Sequence, residues 1–377
     1  MTQKILFILH EDSQSGAPNA LLSFLSYVKE KYPNDFIIDI FVLNSHGKLE
    51  NELRAVARNF YKKQKKRTLL GKISKFFQPN LFLLQILNNY NVVYGNTVLS
   101  LKVLSKIKTK FNKIKTIIYV HEDQYMCSIH LNFQKSVEQF KQIDKIFTVA
   151  QSSANNLIQN YNVQSEKITI IHPTVKKETL PENNPLTSIY NEFDLVLANI
   201  GHPNLTKGTE LIPQIASLLR SRNPKLKFKI LVVGVLNDNE YIKAIKLDIC
   251  KLNLENYIEL IPHTNQPLDY LAVANAYIIP SREDSFSLMA VQAAIAKKPI
   301  IIFKNAVGVS EILTEDCTFQ ANYLDVEDFV KQIETIYNNP ELSKQKATLA
   351  RKKYEEILDS QKINETHFKY LQNLLNN

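Results

Sequence analysis

Residues 278–302, IIPSREDSFSLMAVQAAIAKKPIII, decide the fold. The run opens on an apolar strand that ends at Pro280-Ser281, passes an acidic loop, continues as a helix of small residues and finishes on a second apolar strand. A strand–helix–strand unit whose strands are apolar throughout belongs to a parallel sheet covered on both faces. The same alternation continues on both sides of it. Towards the N-terminus the pattern predicts strands at 194–200, 228–233, 258–261 and 277–279, with helices at 209–220, 239–252 and 268–275 between them. Further C-terminal it predicts helices at 325–337 and 342–354. A separate run of the same kind fills the first half: strands at 4–9, 36–43, 91–94, 116–120, 145–149 and 168–171, with helices at 17–32, 50–60 and from 152 onward. The polar stretch 176–193, KKETLPENNPLTSIYNEF, separates the two and reads as a linker. The expectation is α/β: two Rossmann-like, doubly wound parallel sheets in domains 1–178 and 179–359. Such sheets bind ligands at the carboxyl ends of their strands, where strand order reverses, so the function is expected in a central cleft that the two domains face.

Composition agrees. A chain of 377 residues, 45% hydrophobic and 22% charged, is an ordinary globular protein of two domains, neither disordered nor a coiled coil. Three cysteines, Cys127, Cys250 and Cys317, are too few and too scattered for a disulfide framework or a zinc cluster, and read as small buried apolar residues in a reducing compartment. No stretch reaches the length of about 18 apolar residues that spans a bilayer. The short apolar run near the N-terminus, followed directly by Glu11 and Asp12, does not read as a signal segment. A cytoplasmic protein is expected. The formal charge of +9 is concentrated in the first half, and between Glu52 and Glu122 there are 15 Lys or Arg and no acidic residue. That one-sidedness points to an anionic partner.

Glycine is scarce, and Gly16, Gly95, Gly201, Gly208, Gly234 and Gly308 all fall just after predicted strands or beside helix starts. There glycine lets a backbone approach a ligand while the helix behind it favours an anion. In residues 200–210, IGHPNLTKGTE, the loop after a strand presents Lys207, and Gly208 opens a helix, which is the arrangement of a phosphate clamp. Asp284 and Gln292 stand eight apart across a loop and the first helical turns, a spacing that brings both to one ligand. Each residue also has a plainer reading. Asp284 can simply cap the helix that starts near Ser287. His121, in YVHED, can be a satisfied histidine at a strand end, and His172, in IIHPTV, reads as structural. Glu311 can be a helix N-terminal charge.

Taken together these motifs resemble family 4 retaining glycosyltransferases of the GT-B fold, also called group 1 transferases. In that family Pro-Ser, an acidic residue, and a Glu eight positions later precede a small-residue helix and a strand. The run Pro280, Ser281, Arg282, Glu283, Asp284, Ser285 and Phe286 matches its start, with Asp284 or Glu283 as the first acidic residue. Gln292 stands where the second, ribose-contacting Glu is expected, which is a departure. Lys207-Gly208 match the second half of a Gly-Arg…Lys-Gly element that holds the donor diphosphate. Gly201-His202 stand at its first half, with His202 in place of Arg. Gly308 and Glu311 match a Gly…Glu that ends the donor site. Gly16-Ala17 match the loop that approaches the diphosphate from the other domain, and His121 matches a histidine on the acceptor side.

The resemblance implies transfer of a sugar, with retention, from a nucleotide sugar such as a UDP-sugar to a saccharide or lipid-linked saccharide in bacterial surface-glycan assembly. It implies His121, Lys207 and Asp284 as the catalytic set. It also implies metal independence and a final helix, 360–377, that crosses back to the first domain. No Asp-x-Asp follows a strand, and neither a metal nor another cofactor is expected. The departures at His202 and Gln292 keep a non-catalytic transferase-like partner protein in view, and a sugar-nucleotide epimerase shares the two-sheet architecture.

The acid-free interval adds a surface. From Lys62 to Phe77 seven basic residues interleave with Leu69, Leu70, Ile73, Phe76 and Phe77. From Lys102 to Lys115 six lysines interleave with Val103, Leu104, Ile107 and Phe111. Cationic amphipathic segments of this kind lie on anionic membranes. No nucleic-acid-reading motif is present, so nucleic acid is not an expected partner.

Overall fold

The computed structural model describes residues 3–376 apart from 46, 63–86 and 88. The chain divides into two compact units, Met1–Val175 with Ser360–Asn377, and Lys176–Asp359.

Unit 1 carries a seven-stranded parallel sheet: β1 (Gln3–Glu11), β2 (Phe36–Asn44), β3 (Asn59–Lys62), β4 (Val92–Asn96), β5 (Lys115–Val120), β6 (Lys145–Thr148) and β7 (Ile168–Ile170). Their order is β3-β2-β1-β4-β5-β6-β7, so the sheet reverses direction between β1 and β4. Ile5 to Leu9 of β1 are all buried, on both faces, which is why that strand reads as one continuous apolar run. Unit 2 carries β8 (Leu195–Ile200), β9 (Phe228–Val235), β10 (Ile258–Pro262), β11 (Ala276–Ile279), β12 (Ile300–Phe303) and β13 (Phe319–Ala321). The order is β10-β9-β8-β11-β12-β13, with the switch point between β8 and β11. Both sheets are parallel throughout.

The closing helix Ser360–Asn376 belongs to unit 1. Tyr27 and Tyr32 donate to Glu365 at 2.7 and 2.6 Å, and the Phe24 and Tyr32 rings stack on His367 and Phe368, each at 3.8 Å.

Several local expectations are corrected. The helix expected over 50–60 stops at Val56, and Asn59–Lys62 is an edge strand instead. The cause is Asp39, fully buried on β2. It draws in the Arg58 guanidinium, the Asn59 amide at 3.1 Å and the Tyr90 hydroxyl at 2.6 Å, which pulls the chain off the helix and onto β2. The stretch 176–193 is not a free linker. It contains the helix Thr187–Tyr190, buries Tyr190, and ties to unit 2 through Asn184, whose amide donates to the Asp269 carbonyl at 2.6 Å. Cys127 and Cys317 are buried as expected, but Cys250 is exposed on the helix Glu240–Lys251. No helix among the described residues is long and apolar enough to cross a membrane. Most of the basic segment from Lys62 to Phe77 lies outside the described residues.

Candidate functional site

In unit 2 the candidate residues gather at the switch point. β8 ends at Ile200 and β11 at Ile279. The two ends are stitched together by Asn199, which donates to the Ile278 carbonyl at 2.9 Å, and by Tyr277, whose hydroxyl donates to the Ile200 carbonyl at 3.1 Å. The chain leaves β8 through Gly201, whose φ of +151° suits glycine, and turns at Gly208 with φ +62°. A Cβ on Gly208 would lie 1.8 Å from the Pro280 carbonyl oxygen, so only glycine lets this loop rest on the end of β11. The Arg282 and Glu283 amides both donate to the Thr206 carbonyl, at 2.8 and 3.1 Å. Two loops some 75 residues apart in sequence, as Lys207 and Asp284 are (|i−j| = 77), thus form one backbone platform.

The platform carries a charge pair. Lys207 Nζ donates to Asp284 Oδ2 at 2.5 Å, with the lysine side chain 34% exposed and the aspartate 7%. One of the three ammonium hydrogens is spent on Asp284, so the others can meet an anion arriving from solvent. Asp284 Oδ1 also accepts from the Phe286 and Ser287 amides at 3.4 and 3.1 Å, which ties down the loop ahead of the helix but caps none of the helix's own amides, so the plain capping reading does not hold. The helix that follows, Leu288–Ile295, starts after Ser287 at a left-handed φ of +63°. The Asp284 backbone pairs with the loop after β12: its amide donates to the Ala306 carbonyl and its carbonyl accepts from the Gly308 amide, both at 2.8 Å. Gly308 is therefore brought beside Asp284, with Glu311 exposed at the end of the short turn Gly308–Glu311.

Other expected residues fall less simply. Phe286 is buried, so its side chain serves the core and only its backbone faces the loop. Ser285 and Glu283 are half-buried and His202 is exposed. Gln292 is buried, and its amide nitrogen donates to the Lys176 carbonyl at 2.8 Å, while Oε1 finds no partner among the described residues. An amide makes that bond to a carbonyl; the ionised Glu of the family pattern cannot. Arg282 and Glu210 form an ion pair on the same platform, and Tyr241 bonds Glu210 and the Asn204 carbonyl. Among the described residues no group of three or more His, Cys, Asp or Glu is placed to hold a metal ion.

Unit 1 gathers a different set at its own switch point. Gly16 and Ala17 open the helix Gly16–Lys31 after β1. The turn before them is braced by the fully buried Asp12, which accepts from the Ser45 hydroxyl at 2.7 Å and the Gly47 amide at 2.9 Å. His121 follows β5, with its ring 4.1 Å from that of Tyr119 and its Nε2 2.9 Å from Asn96 Oδ1. Burial, with His10 nearby, depresses the His121 pKa to about 3, so the imidazole is neutral. Burial pushes the Glu122 carboxyl up to about 7, against the pull of the Val98 and His121 amides that donate to it at 3.1 and 3.0 Å. His367, from the closing helix, lies 3.1 Å from the Tyr94 hydroxyl and is likewise held neutral by burial, at about 3. His172 Nδ1 lies 2.9 Å from the Val149 carbonyl, in line with the structural reading.

Sequence reasoning missed Asn96, Thr97 and His367. Thr97 carries a φ of +83°, a strained value for a β-branched residue, and its hydroxyl lies 3.1 Å from His10 Nδ1. Nothing in the local sequence marks any of the three.

Residues 188–353 match the family described as glycosyl transferases group 1. The match covers less than half of the chain and nearly all of unit 2. Among curated relatives, an uncharacterized glycosyltransferase of Haemophilus influenzae is 26% identical over 209 residues, 55% of this chain and 56% of its own length. The capsular polysaccharide biosynthesis glycosyltransferase CapM of Staphylococcus aureus is 21% identical over 226 residues, 58% of each chain. The chain spans about half the length of the curated relatives it matches. Among solved structures, the Anabaena protein Alr3699/HepE, crystallised with UDP and glucose, superposes with a TM-score of 0.81 at 16% identity, covering 98% of this chain and 100% of that one. This is a likeness of fold, and it makes the two Rossmann-like units a GT-B pair.

Proposed function

We propose that the protein is a glycosyltransferase that moves a sugar from a nucleotide sugar, a UDP-sugar in the first instance, to a saccharide or lipid-linked saccharide, with retention at the anomeric carbon. The observation that carries this reading is the Lys207–Asp284 pair on the unit 2 switch-point platform, inside the region that matches the group 1 family. Departure of the sugar builds negative charge on the diphosphate, and an ammonium already in place stabilises that charge without reorganisation. In the reading adopted here the leaving phosphate oxygen takes the proton of the attacking acceptor hydroxyl, so no protein nucleophile is needed. Asp284 and Glu311 surround the sugar and phosphates, and Gln292 stands by the ribose. In unit 1, Gly16-Ala17 and His121 are the residues that the reading assigns to substrate. The UDP bound in the Anabaena structure and the capsular polysaccharide biosynthesis of CapM support the choice of UDP and of a surface polysaccharide.

The test is calorimetry and thermal shift with UDP, GDP, CMP and their sugars on the wild type and on Lys207→Ala. UDP binding that weakens about 100-fold in the variant, the upper range for charge-assisted contacts, supports the reading. Donor converted without any acceptor points instead to an epimerase. A protein that binds none of the nucleotides is the non-catalytic relative, a reading favoured by the exposed His202 in place of Arg and by the Gln292 amide being spent on Lys176.

A membrane surface belongs to the same proposal. In the helix Leu101–Lys110, Leu104 and Ile107 are buried in the core of unit 1, so its apolar face is already used. Lys108 and Lys115 are spent on Asp144 and on the Leu374 carbonyl. Lys102, Lys106, Lys110 and Lys113 remain exposed, and each contributes about 1 kcal/mol at an anionic surface. Binding to phosphatidylglycerol vesicles is therefore expected to be purely electrostatic through this segment. It falls at least tenfold in Lys102→Glu/Lys106→Glu and vanishes at high salt; binding indifferent to both refutes it.

A further inference from the structure

The buried amide of Asn96 joins two elements of unit 1 that the family resemblance treats separately. Asn96 ends β4 and is fully buried. Its Nδ2 donates to the Ala17 carbonyl, in the first turn of the helix Gly16–Lys31, at 3.1 Å. A carbonyl offers only lone pairs, so the amide nitrogen must be the atom that faces it. That leaves Oδ1, which can only accept, 2.9 Å from His121 Nε2. The hydrogen of a neutral His121 ring therefore sits on Nε2, and Nδ1 carries the lone pair. Burial and the neighbouring His10 from β1 favour neutrality; Glu122 next in sequence, Tyr119 on β5 and His367 from the closing helix are the other titratable groups nearby.

We infer that Asn96 is a positioning residue that locks His121 in the Nε2–H tautomer, so that Nδ1 accepts a hydrogen bond from a hydroxyl of the bound sugar or acceptor, and that it moves His121 and the Gly16-Ala17 turn as one body. This rests on the proposed reading that His121 meets substrate. It sharpens that reading, because a neutral acceptor nitrogen takes a hydroxyl and repels a phosphate oxygen. Only asparagine fits the position. Aspartate cannot donate to Ala17, and leucine can satisfy neither neighbour, leaving buried polar groups unpaired.

The test uses the intact protein with 15N-labelled histidine, free of ligand, followed by long-range proton–nitrogen ring correlations from pH 8 to 5.5. The His121 signals are assigned by their loss in His121→Asn. The wild type is expected to show the Nε2–H pattern, unchanged across the range. Asn96→Asp supplies a carboxylate that stabilises the imidazolium, so His121 begins to titrate within the range. Asn96→Leu loses the tautomer preference. With a donor that is turned over, Asn96→Asp lowers kcat at least tenfold, with a new pH limb. An Nδ1–H pattern in the wild type, or an unchanged tautomer in folded Asn96→Leu, overturns the inference. A merely structural Asn96 lowers Tm but moves neither the tautomer nor the pH profile. If no donor is turned over the proposed function fails, while the ring tautomer still decides this inference.

Discussion

Unit 2 and unit 1 solve the same architectural problem with opposite materials. At its switch point unit 2 sets a charge pair, Lys207 and Asp284, on loops held together by backbone bonds and a glycine contact. At its own switch point unit 1 sets neutral rings and one amide, His121, His367 and Asn96, over buried core. The chain's positive charge is concentrated in the first half of its sequence, yet no lysine or arginine is among the rings and the amide set at that half's switch point. A charged platform suits an anion such as a diphosphate, and a neutral hydrogen-bonding set suits hydroxyls. Surface charge and site charge are independent features of this molecule.

The sharpest way to break the comparison is through Gly208. An alanine there needs a left-handed φ and places its Cβ 1.8 Å from the Pro280 oxygen, so Gly208→Ala is expected to destabilise unit 2 by at least about 3 kcal/mol. That corresponds to a fall in Tm of roughly 6–12 °C for a unit of this size. Calorimetry that finds a change under 2 °C means the platform is not built as described.

Acid separates the units next. His121 and His367 have folded pKa values of about 3, below their value of about 6.5 in the unfolded chain, and Glu122 is raised to about 7. Depressed histidines stabilise the fold above pH 6.5, and their contribution is lost as pH falls; a raised glutamate acts in the opposite sense between about pH 4.5 and 7. The net is one excess proton on the unfolded state, so stability falls by about 1.4 kcal/mol per unit between pH 6.5 and 4.5. Unit 2 has only His202 and His263, both exposed. Replacing His367 by Phe, which keeps the stack on Phe24, is expected to flatten this slope towards zero in a chemical-denaturation series. A slope that stays the same means His367 does not carry it.

The smallest effect is at Gln292. Restoring glutamate faces a carboxylate with the Lys176 carbonyl and is expected to cost about 1–3 kcal/mol at pH 8. The loss shrinks as pH falls, because a protonated carboxyl again donates. Thermal melts of Gln292→Glu that match the wild type at pH 8 contradict the hydrogen bond described here.

The comparison also explains what the sequence disclosed. Unit 2 builds its candidate site from contiguous strand–loop–helix pieces, so Gly201, Lys207, Asp284 and Gly308 could be found from local spacing. Their juxtaposition follows from the strand order β8-β11-β12. In unit 1 only Gly16-Ala17 and His121 left a local trace. Asn96 and Thr97 look like any strand end, and His367 sits on a helix more than 240 residues from His121, where only tertiary packing shows its role. Gln292 was legible as a position, but the carbonyl it serves was not, because Lys176 lies in a stretch whose polarity reads as a loop. The edge strand Asn59–Lys62 was hidden in the same way, since one buried carboxylate overrode local helical periodicity.

The closing helix has a further consequence, for biosynthesis. Unit 1 is discontinuous: its last layer, with Glu365, His367 and Phe368, emerges from the ribosome only after all of unit 2 has been made. The first segment must then wait with the Phe24 and Tyr32 rings uncovered, while unit 2, a single uninterrupted stretch, is free to fold ahead of it. The half of the chain synthesised first is the half completed last, and a ribosome stalled before residue 360 leaves unit 1 with an open apolar face for chaperones to find.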